Sequence, residues 1–104
     1  MDAEDEKLVT LARASRARIS APEGAAVRDE MGRTYVATTV ALTSLQLSAV
    51  QAVVAAAASS GVRRLEAAAI VTDAAATSDD DQRVLAELGV DAPIIADPSG
   101  NVRL

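Results

Sequence analysis

The 104 residues are enough for one core and leave no room for a second, so residues 1–104 read as a single domain. Hydrophobic residues make up 50% of the chain, but 24 of them are alanine, and one Tyr is the only aromatic. The formal net charge of -5, with dispersed basic residues, argues against non-specific binding to nucleic acid or to a membrane surface.

An alanine-rich core is thin, because each missing methylene forgoes about 0.8 kcal/mol. Such a chain is expected to gain from oligomerisation. The absence of Cys and His removes nitrogen and sulfur zinc ligands, thiol chemistry, disulfides and a histidine general base. Met1 to Lys7 is acidic, unlike the start of a secretory signal. The apolar stretch Ala49 to Ala58 is too short to span a bilayer. The expected location is the cytoplasm.

Glu4 to Arg18 reads as a helix, with Leu8, Leu11, Ala12, Ser15 and Ile19 on one face. Acidic residues crowd its start, and Arg13, Arg16 and Arg18 lie towards its end, as the helix dipole favours. That arginine cluster reads as a solvated helix face rather than an RNA-binding arm. Ser20 to Gly24 stops the helix. Ala25 to Arg28 and Thr34 to Thr39 read as the arms of a hairpin, with Asp29 to Gly32 as the turn.

A long helix ending near Ser60 follows, and Gly61 sits at its stop. Two capping boxes compete for its start, Thr43 with Gln46 and Ser48 with Gln51. Leu47, Val50, Val54, Ala57 and Ala58 form its expected buried stripe. The rest is Ala and Ser, so the helix is expected to be covered on more than one side.

Leu65 to Val71 reads as an interior strand. Ser78 caps a third helix that ends at Gly89, with Val84, Leu85 and Leu88 buried. Pro93 to Ala96 is a further strand, and Val102 to Leu104 a last short one. The order α-β-β-α-β-α-β-β predicts an α/β fold with a mixed sheet of about five strands and helices on its faces.

Local chemistry is sparse. Asp79, Asp80 and Asp81 could offer oxygen ligands to Mg²⁺ or Ca²⁺, but in a helix first turn they complement the dipole. No glycine pattern builds a phosphate loop. Ser44 and Ser48 lack an activating base, so capping is their expected role. No metal or other cofactor is expected.

A resemblance enters on longer stretches. Ala25 to Tyr35 resembles the first hairpin of the cytidine deaminases, and Ala52 to Gly61 resembles the body of their central helix. Ala68-Ala69-Ile70-Val71-Thr72-Asp73 is similar to their interior strand. Arg83-Val84-Leu85-Ala86-Glu87-Leu88-Gly89 is similar to the family's Gln-Val-Leu-Ala-Glu-Phe-Gly. Asp91 to Ala96 and Gly100 to Arg103 resemble the last hairpin. The likeness is collinear over Glu4 to Arg103 and implies a three-layer α-β-α sandwich.

The resemblance also implies where a catalytic site would lie. The family's Cys-Ala-Glu carries a zinc ligand and the proton-shuttling Glu; here those places read Ser48-Ala49-Val50. The family's Pro-Cys-x-x-Cys supplies two more thiolates; here Ser78 and Asp81 stand in their places. The nucleoside-holding Asn-x-Glu-Asn group falls near Thr39 to Leu42. Deamination needs zinc to acidify a water and a Glu to move its proton. Thr39, Ser48, Val50, Ser78 and Asp81 are therefore degenerate site positions, and no catalytic residue is assigned.

The expected function is a pseudoenzyme, an assembly or binding subunit in a homodimer, a homotetramer or a hetero-complex. One alternative is a nucleoside or small-ligand binder that uses a cleft between Thr39, Thr43, Ser48 and Ser78. The other is residual cytidine deaminase activity. The old cavity is expected to be filled by Leu45, Leu47 and Val50.

Overall fold

A computed structural model describes residues 1–103. Helix α1, Ala3–Ile19, starts where the Asp2 side chain accepts the Asp5 amide. It ends at Ser20, whose φ of 53° turns the chain out of the helix. Leu8, Val9, Ala12 and Ser15 are buried; Ile19, expected on the same face, is exposed at the helix end.

Strands β1 (Gly24–Asp29) and β2 (Thr34–Thr38) form the expected hairpin, with Val27 opposite Tyr35. Its turn is closed by Asp29, whose amide donates to the Arg33 carbonyl at 2.8 Å. Gly32 takes a φ of 87°, which glycine adopts without steric penalty. A feature absent from the sequence reading comes next. β3 (Val40–Ala41) and β4 (Gln46–Leu47) pair as a two-stranded ribbon. The ribbon takes up Thr43 and Gln46, so the competition between capping boxes is decided for Ser48 and Gln51.

Helix α2, Ala49–Ser59, then begins at Ser48 with both arms of the box formed. Its buried residues are Ala49, Val50, Val53 and Ala57. The stripe is rotated from the expected one: Ala58 is exposed and Val54 half-buried. With so many alanines, side-chain size gives little preference between neighbouring faces, and the sheet contact decides. β5 (Leu65–Val71), α3 (Asp79–Glu87) and β6 (Ile94–Ala96) complete the order.

The sheet runs β2-β1-β5-β6, antiparallel except for the β5–β6 pair. Helix α1 covers one face, packing Leu8, Val9 and Ala12 on Ala26, Ala69, Val71 and Ala96. Helices α2 and α3 cover the other, where Val50, Val53 and Leu85 meet Val27, Ala68 and Ile70. The alternation along β1 and β5 thus feeds two cores, as a sheet covered on both faces requires. A register shift at Arg28/Asp29 puts Leu65 on the α2 side with Ala68 and Ile70.

The layers are α-β-α. The main sheet has four strands against the expected five or so. The expected last strand is reduced to one bridge, Ala96 to Val102, and Leu104 lies outside the described residues. Helix α2 is covered by the sheet on one side and flanked by α3. Ala55, Ala56 and Ala58 are exposed, so the expected cover on more than one side is incomplete. Among the described residues no helix is long and apolar enough to cross a membrane.

Candidate functional site

The two inner strands set the site. Gly24 pairs with Val71. One register step further, Glu23 and Thr72 face each other at the sheet end, and Thr72 Oγ1 donates to Glu23 Oε2 at 2.8 Å. Thr72 Oγ1 in turn accepts the Ala74 amide at 3.1 Å, starting the loop that leads to α3. Thr39, just past β2, is held to the same corner: its amide donates to the Glu23 carbonyl and its Oγ1 accepts the Glu23 amide, both at 3.2 Å.

Two helix starts converge here. The Gln51 amide donates to Ser48 Oγ at 3.0 Å, and the Ser48 amide donates to Gln51 Oε1 at 2.9 Å. On α3, the Asp81 amide donates to Ser78 Oγ at 3.1 Å. The two caps are joined directly, because Ser48 Oγ donates to Asp81 Oδ1 at 2.7 Å. Asp81 is 6% exposed. It lies in the first turn of α3.

These groups border a cleft with two lobes. The larger, about 550 Å³, runs from Pro22 and Glu23 past Thr39 to Ala41 and Leu47. The smaller, about 320 Å³, lies between Ile70, Thr77, Ser78 and Asp81. Glu23, Ser48 and Thr72 belong to both. The expectation of a filled cavity is therefore corrected. Leu47 is only a wall, Leu45 points to solvent, and Val50 is buried in the α2 core with 1% exposure. Leu45 is carried outwards by the ribbon, which the sequence did not reveal.

Of the sequence-derived positions, Ser48, Ser78 and Asp81 are brought into one hydrogen-bonded chain, and Thr39 lies along the larger lobe. Val50 and Thr43 are not in the cleft; Thr43 sits exposed in the ribbon turn. Sequence reasoning missed Glu23, Thr72 and Thr77. Glu23 read as part of a helix stop and Thr72 as a strand end. Only the cross-strand register of β1 and β5 makes them neighbours.

Comparison with known proteins bears on this arrangement. The family model described as cytidine deaminase-like matches residues 1–100. The chain belongs to the cytidine deaminase-like family. Cytidine deaminase from Mycobacterium tuberculosis is similar in structure, with 29% identity and a TM-score of 0.74 over 98% of this chain and 90% of that one. The Mycobacterium leprae cytidine deaminase matches at 27% identity and a TM-score of 0.68, over 98% and 93%. That of Burkholderia pseudomallei shares the fold at 22% identity and a TM-score of 0.76, over 99% and 91%. No curated relative matches the chain.

Membership of this family raises zinc, and the donor set can be tested against it. Protein zinc is held by thiolates, imidazoles and carboxylates. The chain contains no Cys and no His. At the three convergent positions one carboxylate is present, and it already accepts the Ser48 hydroxyl. The Ser78 hydroxyl accepts a backbone amide. This set does not fit zinc.

Proposed function

We propose that this cytidine deaminase-like chain is a pseudoenzyme that works as an assembly or binding subunit. The observation that carries the reading is the Ser48–Asp81 hydrogen bond at 2.7 Å. It joins two positions that the family resemblance assigns to zinc ligands and ties them to each other. Val50, at the place of the proton-shuttling Glu, lies in the apolar core and has no proton to move. Water activation and proton transfer, the two demands of hydrolytic deamination, both lack a group here.

The assembly role is supported by apolar side chains that the monomer leaves open. Leu42 is 60% exposed and Leu45 is 49% exposed on the ribbon. The small residues of α2 would let another chain approach closely, and β2 is a free sheet edge. A second reading, a small-ligand binder, is favoured by the open two-lobed cleft. The proposal places the protein in the cytoplasm, which cell fractionation checks.

The test is a cytidine absorbance assay with micromolar protein and added zinc, run beside native mass spectrometry of protein purified gently from its own cells. No loss of cytidine, together with a mass that is a multiple of the chain or includes a partner, is the expected result. Zinc-dependent turnover would overturn the pseudoenzyme reading. A bare monomer would overturn assembly.

A further inference from the structure

We infer that the cleft is a binding site for a small organic cation, an ammonium- or amidinium-bearing molecule with an apolar body. The inference rests on the small-ligand reading above and names its ligand class. Three carboxylates line the cleft; Asp73 is paired with Arg16, which leaves Glu23 and Asp81. Neither has a cationic side chain within ion-pair distance among the described residues. Each accepts one hydroxyl, from Thr72 and from Ser48, whereas an ionised carboxylate has room for several donors. Asp81 is among the most buried charges in the chain. A buried charge is ordinarily paired.

No Lys or Arg lines either lobe. The arginines at the cleft border are tied to other groups: Arg16 to Asp73, and Arg103 to the carbonyls of Thr72 and Ala74. An independent observation points to the same place. Thr77 Oγ1, on the wall of the smaller lobe, is buried and has no hydrogen-bond partner. Buried hydroxyls in folded proteins are nearly always paired, and this one lacks a partner among the described residues.

The charge calls for a cation, and the volume decides its kind. Lobes of about 320 and 550 Å³ match small-molecule sites and far exceed the needs of an ion. Ile70 and Leu47 supply apolar wall where a metal would want oxygen.

The experiment titrates the intact protein, at constant ionic strength, with n-butylammonium, 1-butanol, butyrate, cytidine, and magnesium or calcium chloride. Binding is followed by calorimetry and by amide NMR shifts. Saturable n-butylammonium binding, with shifts at Glu23, Ser48, Thr77 and Asp81, is expected. Butanol and butyrate should bind at least about tenfold more weakly, and Asp81→Asn and Glu23→Gln should each lose a similar factor. Equal binding of butanol, no saturable amine binding, or two variants that bind like the wild type would overturn the inference. So would a response to the divalent ions alone. Tighter binding of cytidine would overturn the cation class and leave the small-ligand reading standing. Cytidine turnover would instead overturn the pseudoenzyme reading.

Discussion

Gly24 is placed by a neighbour rather than by its own dihedrals. A Cβ at this position would lie 2.2 Å from the carbonyl oxygen of Ala12. That atom is helix backbone, so α1 would have to lift from the sheet. Gly24→Ala should lower stability by about 1–3 kcal/mol, read as a lowered denaturation midpoint. An unchanged midpoint would mean that α1 slides at no cost. Asp29 offers a second residue-level test. Burial works to raise its carboxyl pKa, but the Arg33 and Met31 amides and the Arg33 guanidinium outweigh burial and hold it below the ordinary carboxylate value. A lowered folded value means that the stabilisation is fully present above about pH 4 and is lost as pH falls through the folded pKa. Asp97, held down first by the Asn101 amide, adds to the same acid limb. Asp29→Asn should flatten the decline of Tm below about pH 4; an identical decline in both proteins would count against this account.

At the scale of elements, the join between α2 and α3 is the decisive local structure. Ser48 caps α2 and also holds Asp81 of α3. Ser48→Ala removes a cap and leaves Asp81 without its hydroxyl donor. The expected cost is about 1–2 kcal/mol, measured by chemical denaturation, with an accompanying change in the α3 amide resonances. Val50→Glu, which puts a carboxylate where the resemblance places the family's shuttle, should cost about 3 kcal/mol or more, because it puts an unpaired charge into the core under α2. A stable, active Val50→Glu protein would show that the core at Val50 opens readily to the cleft. The elements that read well from sequence were those with strong local signals. β5 carried a continuous apolar run, and α3 carried Ser78 followed by three acids. The β3–β4 ribbon did not read, since two strands of two residues leave no periodicity to detect.

On the scale of the whole molecule, the two cores are small and are built mostly from Ala and Val. Burial per residue is correspondingly low, while Leu42, Leu45 and Val36 remain exposed. A homo-oligomer would cover part of that surface. Its Tm should then rise with protein concentration, because mass action favours the associated state. A Tm constant over a hundredfold dilution, roughly, would exclude a homo-oligomer that dissociates on unfolding. A negatively charged molecule with an acidic cleft is also expected to take up cations in preference to anions, which the ligand titrations test directly.

The sequence by itself determined the order of the main elements and the layered α/β class, because apolar periodicity, caps and turn glycines act locally, and its collinear resemblance pointed to the family. It also determined which donors the chain can offer, since no fold supplies a thiol or imidazole that is not encoded. The tertiary structure decided the rest. Ser48, Ser78 and Asp81 meet only because α2 and α3 start side by side over the sheet. Glu23 and Thr72, 49 residues apart, meet only through the β1–β5 register. The face of α2 that is buried and the openness of the cleft were settled in the same way. In an alanine-rich helix all faces bury comparable area, and long-range packing alone distinguishes them.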